Sequence, residues 1–337
     1  MNRASEKPYD FVPFSTRPPH REGPGPGHAI CEPGKLTGVL QYRLRTRSAV
    51  QVASGLPELL NQGGRREVLW QDTRIRKAGK THHIVPGSSL KGAVRGIAEA
   101  ISNSCVSTFG KKTRGRIPAH VSRCSQVNDL CPACRLFGMT GGKRSSLQGR
   151  VAFDDAVLDS QGGKLVIVST PILWEPARRG LTAIYLQRGQ AKGRKFYFHA
   201  QRAKGDDRRV AIAAGSVLSG GLRFWNLDPA ELGLVLAALG LARRYRFPIK
   251  VGGGKPIGMG SVEVEPVELH LFGSVASAGR LGAQVEVVQG EELLRRIDLL
   301  TEQAIRSRLV DQGALEKVAE ILDGRGLSER QAPDGAY

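Results

Sequence analysis

The amino-acid sequence predicts an α+β fold, and three observations carry that reading. Strand-like runs of apolar residues recur in four separated stretches. Two further stretches have helical spacing behind a start signal. Together they come in the order β-α-β-β-α-β, with large insertions between them, which is the ferredoxin-like or RRM-like split unit.

The first 36 residues, with "RPPHREGPGPG" at their centre, read as an irregular N-terminal arm (1–36). "LTGVLQYRLRTRS" (Leu36 to Ser48) is the first strand. In "IVPGSSLKGAVRGIAEA", Leu90, Ala93, Val94, Ile97 and Ile101 share one helical face. Ser88 or Ser89 is the expected N-cap. Lys91 and Arg95, four apart, fall on the opposite, solvent-facing side, so free N–H groups, dipole and two cations would make an anion site. No Gly-Lys here is followed by Ser or Thr, which excludes a Walker phosphate loop. "GRVAFDDA" reads as a second strand ending on Asp154 and Asp155, which are strand-end structural acids. Between Leu165 and Ala214 short β-like runs are broken by basic clusters, and "VLSGGLRFWNL" is a further strand. Asp228-Pro229-Ala230-Glu231 then supplies an N-cap, a first-turn proline and an acid at N3. "GSVEVEPVELHLF" alternates as the last strand. Glu291 to Leu322 reads helical, before a polar tail.

The charge balance is far from ordinary: 50 Lys and Arg against 31 Asp and Glu give +19, with a pI near 10.2. From Thr73 to Phe153 fifteen cations face only Glu99 and Asp129. Such a field favours a polyanion, nucleic acid first. The longest apolar run, Leu232 to Ala242, is too short to span a bilayer, and no signal peptide opens the sequence, so a cytoplasmic protein without membrane partners is expected. Five cysteines, two at C-x-x-C spacing, suit a reducing compartment and a metal better than a disulfide framework.

His120, Cys124, Cys131 and Cys134 follow H-x3-C-x6-C-x2-C, four N/S ligands that would hold a structural Zn2+ with no open position. That metal would fix a polar loop lacking a core of its own. Cys105 is a substitute ligand and Cys31 a lone thiol. "KVGGGKPIGMGSVEV" surrounds Lys255 with glycines that let N–H groups approach an anion. "GRKFYFHAQRAKGDDRR" interleaves Arg194, Lys195, Arg202, Lys204, Arg208 and Arg209 with Phe196, Tyr197 and Phe198, the residue types that grip phosphates and stack bases of single-stranded RNA.

"VPGSSLKGAVRG", "CPACRLFG", "GRVAFDDA" and the "GGGKPIGMGSV" loop together resemble the RAMP superfamily, whose members include backbone subunits of CRISPR–Cas effector complexes. The nearest likeness is to type III repeating subunits. "YDFVPF" and "GRKFYFH" resemble a III-D-like branch. The resemblance runs from residue 9 to about 270. It implies a modified RRM core (37–270), a zinc-stabilised insertion (about 105–148) and a thumb β-hairpin (about 170–215). A helical extension and polar tail (271–337) would follow. It also implies head-to-tail copies on a guide RNA (crRNA), other effector subunits as partners, and a role as a cytoplasmic ribonucleoprotein in antiviral defence. Gly87, Ser88, Ser89, Lys91 and Arg95 match the family's guide-gripping turn and helix, and Gly252, Gly253, Gly254 and Lys255 its second loop. With Arg194, Lys195 and His199 of the basic hairpin they form the expected RNA contacts.

In type III repeating subunits an aspartate in the loop before the P-G-S-S-L-K-G motif helps cleave target RNA. Asp72 is the only aspartate of "GLPELLNQGGRREVLWQDTRIRKAGKTHH", with Glu58 and Glu67 as lower-ranking substitutes. It would act as base or hold Mg2+ or Mn2+. Otherwise it neutralises Arg74 or Arg76 in an RNA-binding subunit that does no chemistry. Two alternatives stay open: a guide-processing endoribonuclease of the same superfamily using His82, His83 or His199, and a zinc-containing nucleic-acid-binding regulator, disfavoured because the cations sit on loops and not on a recognition helix.

Overall fold

The computed structural model describes residues 7–62, 65–109, 115–141, 145–173, 185–273 and 285–333. Parts of the expected basic segments (110–114 and 142–144), of the 170–215 hairpin (174–184) and of the C-terminal region (274–284 and 334–337) lie outside the described residues.

The fold is a mixed α+β arrangement built on one large sheet. Its centre is β2 (Leu36–Thr46), flanked by β16 (Val217–Leu227) and β18 (Ser261–Phe272), both antiparallel to it. Beyond β16 lie β9 (Val151–Phe153) and β10 (Ala156–Leu158), then β6 (Lys80–Val85) and the edge strand β5 (Arg74–Lys77). Beyond β18 lie β17 (Ile249–Lys250) and β19 (Val285–Gln289). The four strands read from the sequence therefore sit in the spatial order last, first, third, second.

Period-two burial explains β2: Leu40, Tyr42, Leu44 and Thr46 face inward, while Gln41, Arg43 and Arg45 face water. Register then lines up buried rows across the sheet, Leu218–Leu44–Val264 and Leu222–Leu40–Leu269. The second strand expected from "GRVAFDDA" is interrupted, and Asp154 and Asp155 occupy the break between β9 and β10. Asp154 pairs with Arg223 on β16, Arg223 Nε to Asp154 Oδ1 being 3.0 Å.

Helix α1 (Gly87–Ile101) packs against α3 (Pro229–Ala238) and the sheet. The expected capping box forms at α3: Asp228 takes the N3 amide and Glu231 reaches back to the Asp228 N–H. Glu231 is buried and does more than cap. Arg150 Nη1 reaches its Oε2 at 2.8 Å and Arg135 Nη2 lies 3.5 Å from its Oε1, so one carboxylate ties α3 to the segment before β9. The C-terminal helical stretch is two main helices, α4 (Gly290–Arg306) and α5 (Gln312–Ile321), followed by the short α6 (Gly326–Glu329). Asp311 caps α5 by accepting from the Ala314 N–H at 2.8 Å.

A second, four-stranded sheet stands beside the first, in the order β11 (Leu165–Thr170), β15 (Asp207–Ile212), β4 (Arg65–Asp72), β3 (Ala53–Gln62). Leu56, Leu59, Val68 and Ile167 are exposed on it. Short pairs complete the strands: β1 (Tyr9–Pro13) with β14 (Gly193–Tyr197), β7 (Gly138–Thr140) with β8 (Ser146–Gln148), and β12 (Leu186–Gln187) with β13 (Gln190–Ala191). Helix α2 (Pro132–Phe137) leads into β7.

Removing the carboxylate at the α3 cap would leave Arg150 buried without its charge partner. Glu231→Ala should therefore lower unfolding free energy by about 3–5 kcal/mol, checked by urea denaturation.

Candidate metal centre and nucleic-acid interface

Four cysteine sulfurs converge behind α1. Cys105 follows the turn that ends α1, Cys124 lies in the loop after it, Cys131 is the N-cap of α2, and Cys134 is within α2. Their Sγ atoms all lie within 4.8 Å of one another and all four residues are buried. Cys105 Sγ and Cys134 Sγ are 3.6 Å apart. That is far too long for a disulfide bond, and near the ~3.8 Å edge of a tetrahedron with Zn–S bonds of about 2.3 Å. Four sulfurs with no exposed position fit a structural zinc. The set corrects one ligand: Cys105, the substitute, takes the place expected of His120. The His120 ring is engaged elsewhere, its Nε2 2.8 Å from the Ser15 carbonyl. Sequence spacing favoured His120 because it is near the other ligands in the chain, whereas Cys105 is brought in by the end of a helix. Cys31 is free and apart from the cluster.

Two arginines counter the charge of such a thiolate set. Arg95 donates through Nε to Glu99 Oε1 at 2.9 Å, through Nη1 to the Gly138 carbonyl at 2.9 Å, and approaches Cys134 Sγ at 3.4 Å. Arg194 donates to Glu99 Oε2 at 2.9 Å and to the carbonyls of Ser104 and Cys105 at 2.7 and 2.8 Å. Both guanidiniums are thus tied into the fold: Arg95, expected on the solvent face, keeps 21% of its side chain exposed, and Arg194, expected as an RNA contact, keeps 11%. Burial works against the charge on Arg194 and lowers its pKa.

Several other expected RNA contacts are likewise held inside. Lys195 Nζ sits over the rings of Tyr9, Tyr197 and Tyr185 at 4.7, 4.7 and 5.2 Å, a cage formed where β14 pairs with β1. His199 is fully buried, with Nδ1 2.8 Å from Ser261 Oγ and Nε2 3.1 Å from the Pro248 carbonyl. Burial, then the Lys250 charge, pushes its pKa down to about 3, so the ring is neutral. It is neither a surface contact nor accessible to a substrate.

The mouth of α1 also differs from expectation. Pro86 is the N-cap, Gly87, Ser88 and Ser89 form the first turn, and no side chain of the turn caps it. Instead the Gly87 N–H donates to Asp155 Oδ1 at 2.8 Å, so a carboxylate occupies part of the expected anion site. Gly87 must be glycine, since a Cβ there would lie 1.9 Å from the Phe153 carbonyl. Ser88 stays exposed and Ser89 half-buried. Lys91 lines a cavity of about 370 Å3 with Arg95, Arg123, Thr108 and Gln148. Burial first, and Arg95 second, lower its pKa.

In the glycine loop, Gly252 and Gly254 take the left-handed conformation at φ 81° and 66°. Gly253 is exposed, but its N–H is committed to the Gln51 carbonyl at 2.8 Å. Lys255 is half-buried, with its pKa lowered by burial. Beneath it Lys250 is buried, donating to the Met259 carbonyl at 3.0 Å. Desolvation, with Lys255 second, pushes it to about 7.

Asp72, the catalytic candidate, ends β4 with 1% of its surface exposed. It pairs with neither Arg74 nor Arg76. His83 Nδ1 lies 2.7 Å from its Oδ2, and Oδ1 has no partner. This buried carboxylate is not placed to collect Mg2+ or Mn2+ from solvent. Glu58 accepts from Gln71 Nε2 at 2.8 Å and Glu67 pairs with Arg208. The β5–β6 hairpin beyond His83 exposes Arg74, Arg76, Lys77 and Lys80, and among the described residues no carboxylate pairs with them. No helix among the described residues is long and apolar enough to cross a membrane.

Geometry thus defines an α+β protein with a cluster of four buried cysteines that could hold a metal and a basic sheet edge poor in acids. The RAMP superfamily model matches residues 45–263, and the chain belongs to that superfamily. Membership supports a CRISPR-associated, RNA-binding function. Among curated proteins no relative matches the chain.

Two outcomes follow from these sites. The purified chain should carry about one zinc; Cys105→Ser should lose most of it and His120→Ala should retain it, read by metal analysis. Lys250 has a folded pKa near 7 against 10.5 for an ordinary lysine. Between those values the unfolded chain binds more protons, so stability rises with pH there and is lost as pH falls toward 7. Lys250→Met should flatten that rise in denaturation curves taken across the range.

Proposed function

We propose that this chain is a crRNA-binding backbone subunit of a type III-like, III-D-like CRISPR effector, assembling in several copies along the guide and presenting it to target RNA. The observation that carries the reading is the stretch from Arg74 to Lys91 inside the RAMP-matched span. There uncompensated cations on β5–β6 run through Pro86 into the first turn of α1, where Ser88 is exposed. A charge row of this kind suits a sugar-phosphate backbone and gives salt-sensitive binding.

The last-first-third-second strand order supports a ferredoxin-like, RRM-type core over 37–270, with 1–36 as an arm, the zinc insertion near 105–148 and a helical extension from 271. The thumb is assigned to about 170–215, whose β15 enters the second sheet. Exposed Leu56, Leu59 and Ile167 on that sheet support contact with further copies or other effector subunits. Within the RNA interface the proposed contacts are Ser88, Ser89, Lys91, Gly253 and Lys255, because Arg95, Arg194, Lys195 and His199 hold the fold together.

Replacing Lys91 and Lys255 together by Ala should cut the RNA that co-purifies with the chain at least about tenfold and leave the melting temperature within a few degrees. Absorbance ratio and gel analysis of bound RNA would check this. Unchanged RNA content would count against the interface.

A further inference from the structure

The glycine loop that carries Lys255 has a small core of its own, and the C-terminal segment closes it. Among the described residues the buried apolar side chains fall into two clusters. The main one takes no buried residue from beyond Leu322. The smaller one joins Ile257 and Met259 of the glycine loop to Ala200 and Ala203, which follow β14, and to Ala332. So small a cluster has little apolar area to spare, and losing one wall of it wets the rest.

Residues 198–203 lie between that tail and the loop and bond to both. On the tail side the Gln201 N–H donates to the Arg330 carbonyl at 2.8 Å and the Ala332 N–H donates to the Gln201 carbonyl at 3.0 Å. Gln201 Nε2 donates to the Ser328 carbonyl at 3.0 Å, and the Arg330 guanidinium sits 4.0 Å over the Phe198 ring. Gly326, which opens α6, is pressed so close that a Cβ there would lie 2.3 Å from the His199 carbonyl. On the loop side the Ala203 N–H donates to the Ile257 carbonyl at 3.2 Å. Gly258, at φ 86°, backs onto the same segment, where a Cβ would lie 2.7 Å from the Gln201 carbonyl oxygen. His199 reaches both ends of the loop, at Pro248 and Ser261. A loop this rich in glycine loses much backbone entropy when it is fixed in one shape, so it holds that shape only with support from its surroundings.

We propose that residues 326–332 are a brace that keeps the glycine loop in the shape that grips RNA, with Arg330 and Ala332 as positioning residues for Lys255. This rests on the RNA-binding reading above. The brace acts through residues 198–203 and the small apolar cluster, not through the ligand. Linkage makes the effect mutual: RNA that fixes the loop holds the tail in place by the same factor as the tail favours RNA. Arg325 and Arg330 are both exposed on this segment. A protease that cuts after arginine can therefore release the brace, and the RNA with it.

The test compares the full chain with one shortened to Asp323, each purified with whatever RNA it retains. Expected in the shortened chain is faster amide hydrogen exchange across residues 252–260. Retained RNA should fall about tenfold, as it would if the loop kept its binding shape about a tenth of the time. The melting temperature should stay within a few degrees, because the main cluster is untouched. Adding Lys255→Ala to the shortened chain should remove no further RNA, whereas a tail that only stabilised the fold would leave the two losses additive. Ala332→Asp in the full-length chain should reproduce the faster exchange and the loss of RNA, and it carries the test should the shortened chain fail to fold. Loop exchange unchanged in both variants, or RNA losses that add, would overturn the brace while RNA retention by the wild type still stands. A wild-type chain that holds no RNA, with loop exchange still faster in the variants, would overturn the RNA reading and leave the coupling of tail to loop in place.

Discussion

The carboxylate of Glu99 is the contact on which the rest of this structure depends. It is buried on the last turn of α1 and accepts from two guanidiniums, Arg95 of the same helix and Arg194 of β14. Each arginine also reaches the thiol cluster, Arg95 at the Cys134 sulfur and Arg194 at the Cys105 carbonyl. One acid thereby joins the central helix, the cysteine cluster and the N-terminal strand pair. Two cations next to four thiols would repel each other in a dry interior without it, and a lone buried carboxylate would be just as unfavourable. The cationic surplus of the sequence is therefore partly internal, and net charge overstates what is left for a ligand.

That division accounts for what could be read from the sequence. The four core strands and the α1 and α3 helices were legible because period-two and 3.6-residue patterns report burial directly, as in Leu40–Tyr42–Leu44 and Leu90–Val94–Ile97. The capping box at Asp228 was legible because it is local. What failed was long-range pairing. Arg194 and His199 resemble an RNA surface when read along the chain, yet their partners lie 95 and 62 positions away. The same holds for Cys105 against His120: ligands were ranked by nearness in sequence, while the end of α1 supplies the fourth sulfur. The Asp155 cap on Gly87 and the buried state of Asp72 carried no local signal.

The electrostatics of the α1 mouth change accordingly. With Asp155 on the first amide, the helix dipole is partly answered from within. Attraction for a polyanion then falls to Lys91, to Lys255 and to the hairpin at the sheet edge. Such discrete, half-exposed cations can hold phosphates without reading bases.

The second sheet has a consequence for how the chain is made. Its parallel pairing of β4 with β15 joins residues far apart, the Trp70 indole and the Asp207 carboxylate being 137 positions distant. During synthesis β3 and β4 emerge long before the strand that completes them. Until then they present an unpaired edge and bare apolar side chains to their surroundings. Nascent chains on neighbouring ribosomes would meet at that edge, so this sheet is where premature self-association during translation would begin.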